Sequence, residues 1–174
     1  TNFLSIIDDA QDVIKEKQEA VTDEFYDDYI KYVFGVAEGE DERRARSLVG
    51  DGVMPPDDAD GDDTRLFSVD LMNRLIFIKF LEDKRIVRPD LLRTILDTYE
   101  SGVYPQTMYK SFFDPLFYDV FNEKEDQRES HIEDIDLYSG IPYLNGGLFR
   151  PELSNDSNVD ERGFNVRDSV LESI

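Results

Sequence analysis

The chain has 174 residues, with 40 acidic against 19 basic side chains, a formal net charge of −21, and no cysteine. The missing cysteine excludes a disulfide framework and any thiolate metal site. The length suits one domain, or two small ones, able to bury roughly 70% of its unfolded surface without metal or cross-link.

No apolar run approaches the ~20 residues of a membrane span, and no charged-then-apolar leader precedes the first helix, so a cytoplasmic protein is expected. The acidic excess has two readings. High charge with low hydrophobicity marks disorder, but here 40% of residues are apolar, 12% are aromatic, and they fall in periodic blocks. The other reading is a folded domain suited to high salt, where a Debye length of about 3 Å screens acidic self-repulsion. The 25 Asp and only 7 Lys favour that halophilic reading.

In chain order, Phe3 to Val21 has the 3.6-residue apolar period of an amphipathic helix. Thr22, Asp23 and Glu24 then start a second helix through Phe25, Tyr29, Ile30 and Val33, ending near Gly35. From Gly35 to Asp63 glycine, proline and aspartate dominate, and a long acidic loop is expected. Leu66 to Leu81, "LFSVDLMNRLIFIKFL", is apolar nearly all round and predicts a central buried helix. Pro89 opens a helix through Leu91, Ile95 and Tyr99 that stops near Gly102. Tyr109 to Phe121 is aromatic-rich, with Asp114-Pro115 expected to cap a fresh helix. Ile135 to Phe149 is expected to hold two short strands around an Asn-Gly-Gly corner, Asn145 to Gly147. Asn145 and Gly146 tolerate positive φ, and Gly147 would let backbone approach backbone. A last helix is expected near Asn165.

The whole reads as mainly α, an irregular helical bundle with a small hairpin or turn near the C-terminal end. It divides into N-terminal helices (1–34), an acidic loop (35–65), a helical core (66–122) and a turn-rich part (123–174). The chain opens at Thr1-Asn2 and stops at Glu172-Ser173-Ile174 inside an apparent helix, so a piece excised from a longer protein is expected.

Candidate chemistry is sparse. "DDADGDD", Asp57 to Asp63, invites a calcium loop. Anchored on Gly61, however, position 1 is Pro56 and position 12 is Phe67, so the pattern fails. Asp70 with Glu82, Asp83 and Lys84 mimics the carboxylates and lysine of metal-dependent nucleases, but on one helix rather than on rigid strands. His131, Glu133, Asp134 and Asp136 are a poor transition-metal set. No triad and no phosphate-cradling glycine loop can be built. No catalytic, cofactor or metal residue is assigned. Two basic patches remain: Arg43, Arg44 and Arg46 in the loop, and Lys84, Arg85, Arg88 and Arg93 after the central helix. They either meet DNA phosphates or pair with neighbouring acids.

Two stretches carry a resemblance. "LMNRLIFIKFLEDKRIV", Leu71 to Val87, with Asn73 and Arg74 at its head, is followed by Leu116-Phe117 and then by "IPYLNGGLF". The last contains Pro142, Tyr143, Asn145, Gly146, Gly147 and Phe149. In this order they resemble the helical region preceding the methyltransferase domain of large adenine-specific DNA methyltransferases, many fused to a restriction nuclease. The resemblance runs from about Leu66 to the end and is weak before that. It implies a connector that partners the adjoining methyltransferase domain, and any nuclease domain, of the same polypeptide. It also implies DNA as the parent's substrate, with S-adenosylmethionine and a magnesium requirement belonging to the parent. The family's Asn/Asp-Pro-Pro-Tyr/Phe motif and its S-adenosylmethionine loop are missing, and Met54-Pro55-Pro56-Asp57 does not replace the former. This piece alone is therefore expected to catalyse nothing.

The corner at Ile141 to Phe149 would then redirect the chain and dock its apolar flanks on a neighbouring surface. The rival is a free-standing acidic interaction protein, such as a DNA mimic. A connector should show an uncovered apolar patch at Ile141 to Phe149, and a mimic should not.

Overall fold

The computed structural model describes residues 22–35, 47–129, 132, 135–144, 147–151, 153 and 159–174. The expected helix Phe3 to Val21 and the triplet Arg43, Arg44 and Arg46 lie outside these residues.

The fold is mainly α. Residues 22–34 are helical (α1), and Gly35 closes this helix at φ 75°, with its N–H on the carbonyl of Lys31 at 2.9 Å. Glycine takes this left-handed conformation without a Cβ penalty. Leu48–Gly52 form a single wide turn that leads into strand β1, Val53–Met54. Helix α2 spans Gly61–Asp83 and helix α3 spans Leu91–Ser101. Residues 108–121 form one continuous helical segment, α4, with π-type hydrogen bonding over Tyr109–Phe113 and Leu116–Phe121. Strand β2, Asn165–Val166, pairs antiparallel with β1, Val53 opposite Val166, and the short helix α5, Asp168–Leu171, follows.

Several expected boundaries move, each for a local reason. α2 begins before Leu66, because the acidic run starts the helix. The Asp60 carboxylate accepts from the N–H groups of Asp62 and Asp63, while Asp63 reaches back to the N–H of Asp60, a reciprocal capping box. Pro89 does not open α3. Asp90, at φ 62°, is its N-cap and makes no side-chain cap bond. The cap comes from α2, whose buried Glu82 accepts the N–H of Leu92 at 2.8 Å. Asp114-Pro115 does not start a fresh helix either. A proline inside an α-helix removes one bond and crowds the carbonyl four residues back, and the wider π turns around Pro115 relieve both. Asp114 instead binds Lys110 and Arg162.

The described part of Ile135 to Phe149 holds 3-10 turns, Asp136–Tyr138 and Gly147–Phe149, rather than two strands. The strand near the C-terminal end is Asn165–Val166, so α5 starts later than Asn165. Short strands need a ladder partner, and the available edge is β1, more than a hundred residues earlier.

The core is a continuous cluster built on α2 and α4. Phe67 stacks on Phe164 with ring centroids 4.5 Å apart, and Phe121 stacks on Phe149 at 4.6 Å. An open apolar groove of about 450 Å³ runs between α1, α2, α3 and α5, lined by Phe25, Tyr29, Leu75, Leu92, Leu96 and Leu171 among others. No helix among the described residues is long and apolar enough to cross a membrane.

Candidate functional site

The two motif stretches meet in space. Arg74, on the inner face of α2, is almost wholly buried at 2% exposure. Its Nε donates to the carbonyl of Leu148 at 2.7 Å and its Nη2 to the carbonyl of Arg150 at 3.3 Å. The guanidinium thus holds the stretch that follows the glycine corner. The same group donates to the Tyr118 hydroxyl at 2.8 Å and forms an ion pair with Glu161, with one hydrogen bond from Nη2 to Oε2 at 3.0 Å and Oε1 lying 2.8 Å from Nη1 without a hydrogen bond of its own among the described residues. It lies over the rings of Phe117 and Tyr118, each 5.3 Å from the guanidinium carbon. A planar, five-donor fork is the side chain that can serve two carbonyls, a hydroxyl and a carboxylate at once.

The electrostatics follow from burial. Desolvation opposes the charge on Arg74, but Tyr118 and Glu161 more than offset it, and its pKa stands above the usual arginine range. Burial pushes Glu161 up, and Arg74 draws it back only in part. Burial likewise raises the Tyr118 phenol.

The other end of the segment is held in the same way. Arg128 donates from Nη2 to the carbonyls of Val120 and Ile141, and the N–H of Leu144 donates to the carbonyl of Phe121. Phe149 is buried against Phe77, Phe117 and Phe121. Pro142 and Tyr143 are half-buried. Asn145 and Gly146 lie outside the described residues. A Cβ placed on Gly147 would meet nothing within 4 Å among the described residues, so that glycine serves no close backbone approach there. The apolar flanks of the corner therefore pack into this chain's own core, and the expected uncovered patch at Ile141 to Phe149 is not where the open apolar surface lies. That surface is the groove beside α1 and α3. Asn73 is exposed and accepts the Tyr29 hydroxyl at 3.3 Å, tying α1 to α2.

The remaining candidates separate. Lys84, Arg85, Arg88 and Arg93 are all exposed, and none forms an ion pair or side-chain hydrogen bond among the described residues. Their pairing with neighbouring acids is thus not seen there. Glu82 faces inward onto α3 and Lys79 rather than beside Asp83 and Lys84, so no nuclease-like carboxylate pair forms. Among the described residues no three His, Asp or Glu side chains converge as metal ligands. His131, Glu133 and Asp134 lie outside them.

Glu161 lies in a stretch, "NVDERGF", of the turn-rich C-terminal part, 87 residues from Arg74, and local sequence assigns it no partner. Its neighbour Arg162 joins Asp114 and Asp119, with Nη2 to Asp114 Oδ1 at 2.7 Å and Nη1 to Asp119 Oδ1 at 2.8 Å. A charged pair flanked by Val159 and Phe164 is the one available signal, and it does not name partners.

Fold and network together define a helical, arginine-pinned structural unit. Comparison with known proteins places that unit. Over 170 aligned residues, covering 91% of this chain, it is 38% identical to a protein of Methanocaldococcus jannaschii named "Putative type II restriction enzyme and methyltransferase". The chain spans 14% of that relative's length. Its origin is thus related to restriction-modification proteins. No protein-family model matches the chain, and no solved structure matches it.

Proposed function

We propose that the chain is the non-catalytic helical connector of a restriction-modification type, adenine-specific DNA methyltransferase. In this reading the parent polypeptide works in the cytoplasm of a halophilic cell. It transfers a methyl group from S-adenosylmethionine to adenine N6 and carries any magnesium-dependent nuclease activity in another domain. The connector's part is mechanical. It binds an adjoining domain and holds it at a set angle.

The observation that supports this reading most is that nearly all of this chain aligns with one-seventh of a much longer relative whose name joins the two activities. The Arg74 network suits such a role, because a buried guanidinium bonded to Tyr118, to the carbonyls of Leu148 and Arg150 and to Glu161 fixes one arrangement of α2, α4 and the segment after the glycine corner. The covered flanks of Ile141 to Phe149 count for the rival acidic interaction protein by the patch criterion; the connector reading takes its docking surface from the open groove beside α1 and α3 instead.

The test is methyl transfer by the complete polypeptide encoded by the source gene, with radiolabelled S-adenosylmethionine and duplex DNA. Label on adenine N6 is the expected result. A complete polypeptide without an S-adenosylmethionine loop and an Asn/Asp-Pro-Pro-Tyr/Phe motif, and without methyl transfer, would overturn the reading in favour of an acidic interaction protein.

A further inference from the structure

The turn between α2 and α3 stands apart from the rest of this acidic surface. Lys84, Arg85 and Arg88 project from it, and Arg93 follows in the first turn of α3, all exposed. The nearby acids do not neutralise them. Glu82 is buried and engaged with Leu92 and Lys79, and Asp83 contacts Lys79 at 3.7 Å. Asp90 is exposed but pairs with none of the four cations.

The turn is also rigidly built. Arg85 donates its N–H to the carbonyl of Glu82 and Ile86 donates to that of Leu81, each at 2.9 Å, while Val87 is buried at 4% exposure. Arg85 and Asp90 are the two positive-φ residues other than glycine among the described residues, at 58° and 62°. Glycine is the usual occupant just past a helix end, so an arginine held there keeps a side chain at the expense of backbone strain. Between the cations in sequence sits an exposed apolar side chain, Ile86, 46% accessible; Phe80, at the end of α2, is 47% accessible. The Lys84 ammonium lies 5.6 Å from the Phe80 ring centroid.

An apolar tip framed by unpaired cations is the surface that minor-groove binders present to duplex DNA. Cations meet the phosphates and a branched aliphatic side chain wedges against a base step. We infer that the Lys84–Asp90 turn, with Arg93, is a duplex-DNA contact in which the cations hold phosphates and Ile86 enters the minor groove. The choice of DNA over another polyanion rests on the proposed function; the site itself rests on the geometry. Nothing else in a chain of net charge −21 offers DNA a comparable approach among the described residues.

The test uses the 174-residue chain and a short fluorescein-labelled duplex, with anisotropy measured across a range of potassium chloride. Replacing both Arg85 and Arg88 with alanine should flatten the slope of log affinity against log salt by about 1.8, since each phosphate contact contributes ~0.9. Ile86→Ala should leave that slope unchanged and abolish DNA bending read by energy transfer between the duplex ends. Arg65→Ala, at the opposite end of α2, should change neither. All four side chains are exposed, and circular dichroism verifies that each variant folds.

An unchanged slope in the double variant, or no binding by the wild-type chain, overturns the inference. So does equal binding to an acidic polypeptide, which would mark the turn as a protein contact. If the complete polypeptide fails to methylate adenine while this chain binds DNA through Arg85 and Arg88, the proposed function fails and the inference stands.

Discussion

Arg74→Ala removes a side chain that links four separate parts of the fold. It deletes the ion pair with Glu161, the donors to the carbonyls of Leu148 and Arg150, and the contact with the Tyr118 hydroxyl. What remains is Glu161 at 0% exposure without its cation, held only by the Tyr118 hydroxyl among the described residues. Breaking a buried pair from one side costs about 3–5 kcal/mol. For a chain of this size each kcal/mol lowers Tm by about 2–4 °C, so the drop should be roughly 6–20 °C. Glu161→Gln is gentler, because a carboxamide still accepts from the guanidinium. Arg74→Met combined with Glu161→Leu removes both charges and should be less damaging than Arg74→Ala alone, although the two carbonyls stay unpaired.

The pH dependence has a definite sign. Burial raises the folded-state pKa of Glu161 above its ordinary 4.5, so the folded protein binds more protons than the unfolded chain in the interval above that value. The contribution of this group to stability therefore falls as pH rises through the interval. Without Arg74 the raised value climbs further. The penalty of Arg74→Ala should be full at neutral pH and smaller in mildly acidic buffer, where Glu161 is protonated in the variant. Urea unfolding followed by circular dichroism at both pH values, wild type against variants, measures this. An Arg74→Ala protein within about 0.5 kcal/mol of wild type, or a penalty that grows on acidification, would refute the reasoning.

Two further outcomes test the reassigned acidic residues. Asp60→Ala should leave the amides of Asp62 and Asp63 unprotected in hydrogen exchange and lower Tm. Added calcium should not change the Tm of the wild type, since Asp60 and Asp63 are engaged in the helix cap and Asp62 pairs with Arg65. Glu82→Ala should destabilise by about 1–3 kcal/mol, by orphaning the N–H of Leu92 at the start of α3, while Glu82→Gln retains most of that bond. Equal losses for the two Glu82 variants in chemical denaturation would show that the cap is not what Glu82 contributes.

Legibility in the sequence followed the range of each interaction. The end of α1 at Gly35, the central helix, and the stop of α3 near Gly102 rest on local periodicity and terminator residues, and these were readable. The start of α2 was misread because aspartates in a row look like a loop, yet a helix N-terminus favours acids for its unpaired N–H groups. Pro115 was misread because the π turns that accommodate it depend on packing along α4. Within the candidate site, Arg74 stood out as a motif residue, whereas its carboxylate partner did not.

By itself the sequence determined the helical class, the pattern of apolar faces, the acidic surface and the order of the motif stretches, because each is written within a few residues along the chain. Only the tertiary structure decided that Arg74 is a buried pin, that Glu161 answers it, and that the flanks of the glycine corner turn inward. It also decided that Lys84, Arg85, Arg88 and Arg93 remain unpaired among the described residues. The reason is physical. Burial and charge pairing depend on which distant segments share a volume, and an acid 87 residues away acquires its role only when folding removes the water around it.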